Sequence, residues 1–226
     1  MTTTKQPDIT ATLHERVARM TSVVSYPKRC SLWGDGAYRG NCDGRLFLGL
    51  VLRYDAKRVA DPMMGSGTTR DVVNWLNEKT NAEIKYWGGD LKDGFNLHVR
   101  DLPGEHDFVW VHPPYWDIIR YSDDPADLST VEDYGHFTER LRICLERCYR
   151  ALVPGGRLAV LVGDVRKCGR YTPIVRDVMN WEGKLGDIAS VIIKQQHACR
   201  SDAKSYARMA EPRIQHEYCV VFRKPR

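Results

Sequence analysis

The chain has 226 residues, 42% hydrophobic and 28% charged, which are the proportions of a globular protein and exclude disordered or fibrous classes. That length suits one domain with a substantial core; the apolar runs are far too short to span a membrane, and the Thr-rich start carries no apolar signal core. The net charge of +5 and pI near 8.8 permit an anionic partner without demanding one, while seven cysteines without a Cys-x-x-Cys spacing favour free thiols in a reducing, cytoplasmic setting.

Residues 1–30 read as an N-terminal flank with a weakly amphipathic helix around Ile9–Met20. The spacing predicts a helix over Arg45–Tyr54 and a strand over Arg58–Asp61. A glycine turn follows, Asp61-Pro62-Met63-Met64-Gly65-Ser66-Gly67-Thr68, and then a helix over Thr69–Lys79 with Val72, Val73, Trp75 and Leu76 on one face. Glycines between a strand and a helix let the backbone approach a ligand, and the free amides of the helix start favour anionic groups. The Gly-x-Gly is too short for the dinucleotide fingerprint, and no Gly-Lys-Ser/Thr follows, which excludes a P-loop. The next strand, Glu83–Gly88, leads to Asp90, placed to bind a ribose hydroxyl pair or to serve as a turn residue.

The strand Phe108–Val111 stops on His112-Pro113-Pro114-Tyr115-Trp116. Two prolines lack amide hydrogens and end a ladder, leaving carbonyls and an aromatic ring beyond a strand end. Such a corner suits a flat heteroaromatic amine, although a plain strand terminator reads the same way. Downstream, Asp123, Asp124 and Asp127 form an acidic loop assigned to capping and solvation. A helix spans Val131–Leu152, with Cys144 and Cys148 as buried helix residues rather than metal ligands. A strand over Leu158–Val162, a helix over Thr172–Trp181, and strands over Ala189–Lys194 and Tyr218–Arg223 complete the pattern. The alternation predicts an α/β fold, doubly wound with helices on both faces and ligands at the carboxyl ends of the strands. All of 1–226 is expected to form one catalytic domain.

The pair Asp-Pro-Met-Met-Gly-Ser-Gly-Thr and His-Pro-Pro-Tyr, in that order, resembles the S-adenosylmethionine-dependent amino-methyltransferases that modify exocyclic nitrogens of DNA bases. Similar flanking segments are Tyr38–Arg45, Leu152–Asp164 and His216–Lys224, so the resemblance runs from about Tyr38 to the C-terminus. It implies a Rossmann-like class I methyltransferase sheet with S-adenosyl-L-methionine as cosubstrate, held by Tyr38, Asp61, Pro62, Gly65, Ser66, Gly67, Thr68, Asp90 and Leu91. It implies a catalytic pocket made of His112, Pro113, Pro114 and Tyr115. The family usually has Asp, Asn or Ser where this chain has His112, so the choice between cytosine N4 and adenine N6 stays open.

The exocyclic nitrogen is conjugated into its ring, and two acceptors aimed at its hydrogens would make its lone pair available. The Pro113 carbonyl and the His112 side chain are the candidates, with Tyr115 stacking on a base taken out of its helix. An imidazole accepts only when neutral, so activity is expected to decline at acidic pH near the His112 pKa. Trp116 could add to that wall or belong to the core. Asp164, Arg166, Lys167 and Arg170 after one strand, and Arg200, Lys204 and Arg208 in the polar stretch before the last strand, are candidate substrate contacts for a DNA backbone and base edges. The expected partner is DNA, double-stranded with a flipped base or single-stranded, with no metal and no membrane. A separate target-recognition domain is not expected, which leaves recognition to loops or to a homodimer; a restriction-modification setting is one context for such an enzyme. The alternatives are RNA or protein-glutamine methylation, or a catalytically inactive binding subunit.

Overall fold

The computed structural model describes residues 9–197 and 210–226. At the centre of these residues is a seven-stranded mixed sheet. The strands are β1 (Val23–Ser25), β2 (Arg58–Asp61), β3 (Lys85–Gly88), β4 (His106–Val111), β5 (Leu152–Val162), β8 (Asp187–Gln195) and β9 (His216–Arg223), in the order β1-β8-β9-β5-β4-β2-β3. A small antiparallel hairpin, β6 (Val165–Lys167) with β7 (Arg170–Thr172), stands apart from it.

Strand pairings β2–β3, β2–β4, β4–β5 and β1–β8 are parallel, whereas β9 runs antiparallel between β5 and β8. The amino end of β9 therefore lies at the same rim as the carboxyl ends of the parallel strands. Crossover helices α2 (Gly44–Arg53), α3 (Thr68–Thr80), α4 (Tyr134–Arg150) and α5 (Ile174–Met179), with α1 (Ile9–Ala18), supply the outer layers. This is the doubly wound α/β sheet the alternation predicts.

The central strands read as continuous apolar runs because both of their faces are buried. Phe108 and Trp110 of β4 point with Ala159 and Leu161 of β5 into a core shared with Phe47 and Leu50 of α2 and Val72 and Leu76 of α3. Val109 and Val111 point with Leu158, Val160 and Val162 to the opposite face, against Phe137, Leu141, Leu145 and Cys148 of α4. Cys144 is buried there too, as expected of a helix residue on that face.

Boundaries shift for local reasons. Asn81 and Glu83 have φ of 55° and 53°, so β3 starts at Lys85 rather than Glu83. Asp133 caps α4 by accepting from the His136 amide at 2.8 Å, which starts that helix later than Val131. The hairpin takes Thr172, and Pro173 precedes α5, so that helix is shorter than predicted. Conversely β5 begins at Leu152, through a Pro154-Gly155-Gly156 stretch that reads as a turn. It is a bulge: Leu152 pairs with His106 and Arg157 with Phe108, five steps on one strand against two on the other.

Candidate active site

The rim where the strands end carries both motifs. After β2, Asp61 is buried, its Oδ2 accepting from the Thr69 hydroxyl at 2.6 Å and its Oδ1 from the Met63 amide at 3.1 Å. Burial raises this carboxyl to about 7, against the two hydrogen bonds that lower it. Both oxygens are thus engaged inside the turn they shape. Gly65 has φ of 54°, and a Cβ there would stand 3.1 Å from the Tyr38 ring, so the turn needs a residue without a side chain. Gly67, with φ of 83°, caps α3. Asp90, after β3, accepts from the Gly65 amide at 2.8 Å through Oδ2 and from the Lys92 amide at 3.2 Å through Oδ1. The glycine turn and the acidic strand end are therefore one hydrogen-bonded unit. A carboxylate has about four lone-pair positions, so Asp90 keeps acceptor capacity beyond these two bonds.

Past β4, His112 Nε2 lies 2.9 Å from the Tyr115 hydroxyl. That hydroxyl donates to Glu217 Oε1 of β9 at 2.7 Å. Lys194 of β8 donates to Glu217 Oε2 at 2.5 Å. Glu217 and Lys194 are only 7% and 9% exposed, so each charge depends on the other. Burial alone would raise the Glu217 carboxyl, but the Lys194 charge and the bonds to it outweigh burial and hold it below the usual range. Lys194 is correspondingly held above its usual value against the effect of burial. His112 is pushed down to about 4, by burial and by the Lys194 charge, against the opposing pull of Glu217. Burial beside Glu217 sends Tyr115 well above the ordinary phenol range. At neutral pH the site thus holds a neutral imidazole, a neutral phenol and an ion pair.

Both constellations face one cavity of about 730 Å³, within the size range of small-molecule sites. Its wall includes Tyr38, Asp61, Pro62, Gly65, Ser66, Thr68, Asp90 and Leu91 on one side and His112, Pro113, Pro114 and Tyr115 on the other. Tyr121 also lines it, its ring stacked on Tyr38 at 6.3 Å and 23°.

The remaining candidates stand elsewhere. Gly67 shapes the turn without lining the cavity. Trp116, with φ of 54°, is packed into the fold: its indole donates to the Val131 carbonyl at 2.9 Å, its ring meets Tyr134 edge-on at 5.3 Å, and Lys167 sits 4.6 Å above it. Lys167 also pairs with Asp117. Asp164 is buried and bonds the Tyr171 hydroxyl at 2.5 Å and the Val175 amide at 2.9 Å, fastening the hairpin to α5. Arg166 donates to the Pro212 carbonyl at 3.0 Å, and Arg170 is exposed on the hairpin. None of Trp116, Asp164, Arg166, Lys167 and Arg170 is among the residues that line that cavity: Trp116 is held by the packing just described, and beyond Gly163 the chain turns away into β6 and β7. Arg200, Lys204 and Arg208 lie outside the described residues. Sequence reasoning misses Glu217 and takes Lys194 only as one of the basic residues of the polar stretch before the last strand. The available signal is a charged residue beside the apolar run of each strand, Lys194 after Val191–Ile193 and Glu217 before Tyr218–Phe222, which only the antiparallel register of β8 and β9 (Lys194 opposite Glu217) brings together.

No family model matches this chain. Among curated proteins, reducing polyketide synthase grgA of a Penicillium species is 31% identical over 139 residues, 57% of this chain and 5% of that protein. Among solved structures, TTHA0409 of Thermus thermophilus, a provisional DNA modification methylase crystallised with S-adenosyl-L-methionine, is 30% identical over 57% of this chain and 49% of its own, with a TM-score of 0.40. TrmN from Thermus thermophilus is 17% identical over 82% of this chain and 50% of its own, with a TM-score of 0.43. The chain thus spans about half of these solved chains and a small part of the polyketide synthase.

Proposed function

We propose that the protein is an S-adenosylmethionine-dependent methyltransferase acting on an exocyclic amino nitrogen of a nucleobase in DNA, cytosine N4 or adenine N6. The observation that carries this reading is the shared cavity whose two walls are the glycine turn with Asp90 and the His-Pro-Pro-Tyr corner. A methyl donor bound on the first wall would face an acceptor bound on the second.

The residues present fit the cosubstrate. The side-chain-free backbone at Gly65 permits close approach, Asp90 retains lone pairs for a ribose diol, and Tyr38 and Leu91 offer apolar surface beside it. When bound, S-adenosylmethionine supplies an activated methyl group on sulfonium, so the protein has to align and polarise rather than create a strong nucleophile. The Pro113 carbonyl and neutral His112 accept from the target amino group, which localises the nitrogen lone pair and stabilises the positive charge that develops there. After transfer the nitrogen would give its surplus proton to solvent, since an imidazole depressed to about 4 is a weak base.

A neutral imidazole as that acceptor is supported by the depression of His112 to about 4. Tyr115, tied at its hydroxyl, presents its ring as a fixed surface for a planar base taken out of its stack. The test is transfer of label from S-adenosylmethionine to DNA, RNA or protein, followed by nucleoside analysis of the product. Labelled N4-methylcytosine or N6-methyladenine is the expected result; label found only in RNA or glutamine would replace this reading, and none in any would remove it.

A further inference from the structure

We infer that Glu217 and Lys194 are positioning residues that fix the tautomer of His112, a role that rests on the reading of His112 as the hydrogen-bond acceptor for the target amino group. The argument is a proton count along one chain of contacts. Lys194 has only donors and gives one to Glu217 Oε2 at 2.5 Å. The ionised Glu217 has only acceptors, so the single proton of the Tyr115 hydroxyl goes to Oε1 at 2.7 Å. The Tyr115 oxygen, 2.9 Å from His112 Nε2, is then left to accept. His112 must therefore carry its proton on Nε2 and keep a bare lone pair on Nδ1.

That lone pair is available. Nδ1 has no partner among the described residues, and it is not one of the sealed, unpartnered polar atoms, which are found at Trp33, His98, His106 and elsewhere. His112 itself forms part of the cavity wall. A neutral histidine in the other tautomer would offer a donor at Nδ1 and repel the hydrogens of an amino group. Asp, Asn or Ser would bring an oxygen acceptor to this position without assistance; imidazole does so only if something outside the motif dictates where its proton sits. Two strands that meet far from the motif in sequence supply that instruction.

Glu217→Gln gives a sharp expectation. Lys194 still demands an acceptor, so the amide turns its carbonyl toward Lys194 and its NH₂ toward Tyr115. The hydroxyl proton then turns to His112 Nε2, and the ring proton moves to Nδ1. Adding Lys194→Met frees the amide to present its carbonyl to Tyr115 again and restores the original tautomer.

The experiment is NMR on the full chain labelled with ¹⁵N-histidine, with His112→Asn assigning the His112 signals. The inference expects protonated Nε2 in the wild type, protonated Nδ1 in Glu217→Gln, and reversal in Lys194→Met/Glu217→Gln. A wild-type ring protonated on Nδ1, or a Glu217→Gln ring unchanged from wild type, overturns it, and neither result needs a substrate. With labelled S-adenosylmethionine and DNA, Glu217→Gln is expected to lower kcat on the order of 10- to 1000-fold with little change in the cosubstrate KM. Lys194→Met/Glu217→Gln should recover part of that loss, and Glu217→Gln should cost nothing further in a His112→Asn background, where Asn brings its own carbonyl. An equal loss in both backgrounds makes Glu217 merely structural and overturns the inference. A wild-type protein that transfers no methyl group removes the proposed function alone, because the NMR arm still decides the tautomer.

Discussion

Gly163 tests the packing on which the site depends. It follows β5 directly beneath Tyr115, and a Cβ added there would lie 2.8 Å from Tyr115 Cε2 and 3.1 Å from Cδ2. Carbon atoms rest comfortably about 3.5–4.0 Å apart, so Gly163→Ala must drive the ring back by roughly 0.7 Å. The hydroxyl cannot follow freely, being held between Glu217 at 2.7 Å and His112 at 2.9 Å. A charge-assisted hydrogen bond weakened in this way costs about 1.5–3 kcal/mol, and overpacking adds about 1–3 kcal/mol. Allowing for partial relaxation, a loss of about 2–4 kcal/mol lowers Tm by roughly 5–15 °C in a chain of this length. Methyl transfer should fall about 100-fold, the typical effect of an ångström-scale misplacement. Calorimetry and labelled-methyl assays read the two effects, and Tyr115→Leu provides the relief variant, since it removes the atoms that collide. Gly163→Ala melting and turning over as the wild type does would refute the reasoning, as would an undiminished Tm penalty in the Tyr115→Leu background.

Other outcomes follow from the same contacts. Because His112 is depressed to about 4, kcat should stay level through the ordinary histidine range near pH 6.5 and fall only as the pH approaches 4; a midpoint near 6.5 in the kcat profile would contradict this. The same depression means the unfolded chain binds more protons between those values. His112 therefore contributes a loss of stability as pH falls from about 6.5 to about 4, seen in urea titrations as a declining midpoint that His112→Asn flattens. Asp61 has the opposite sign: its carboxyl is raised to about 7, so its contribution is lost as pH rises through that value. Asp61→Asn, which imitates the neutral acid, should melt near the wild type at low pH and above it once the pH reaches about 7, because it abolishes that loss, whereas Asp61→Ala gives up both turn hydrogen bonds at a cost of about 2–4 kcal/mol. Gly65→Val forces a β-branched residue to φ of 54° and into the Tyr38 ring; calorimetric binding of S-adenosylmethionine should weaken at least about tenfold, and unaltered affinity would remove the glycine turn from the cosubstrate site.

The parts of this molecule legible in its sequence are those decided locally. β4, β5 and β9 announce themselves through Phe108–Val111, Leu158–Val162 and Tyr218–Phe222, because strands buried on both faces need unbroken apolar runs, and the two proline and glycine corners stand out because their backbones cannot continue a ladder. Edges are harder to read. β1 is three residues long and, among the described residues, pairs with β8 alone, and Val23-Val24-Ser25 is too short to show a strand period. The hairpin of β6 and β7 hides among Arg166, Lys167 and Arg170, whose charges read as a ligand surface. In the structure Asp164 is engaged by Tyr171 and the α5 amide, and Lys167 by Asp117 and Trp116. Pro154-Gly155-Gly156 misleads in the opposite direction, since the stretch carries turn chemistry and yet the strand runs through it as a bulge.

The site divides along the same line. Asp61, Gly65 and Asp90 belong to one rim because consecutive β-α units return each strand to it, so alternation alone predicts their neighbourhood. Glu217 obeys no such rule. It reaches His112 only because β9 inserts antiparallel between β5 and β8, which turns its amino end to the rim where the parallel strands end. In a fully parallel sheet the same residue would sit at the opposite pole, and Tyr115 would have no buried carboxylate to receive its proton. On the function proposed above, the reversed strand would be a functional feature of the fold: it would let a histidine stand at the His-Pro-Pro-Tyr corner where an oxygen acceptor would need no such support. A relative with Asp, Asn or Ser at that corner has no need of a carboxylate at the Glu217 position, and a chain with histidine there should carry one. His112→Asn combined with Glu217→Leu and Lys194→Leu puts the dependence to the test within this protein. Apolar replacement of a buried ion pair is often neutral or stabilising, so that triple variant should fold and transfer methyl groups at about the rate of His112→Asn alone. A triple variant that folds but loses the activity His112→Asn retains would show that Glu217 serves the chemistry by some route other than the imidazole.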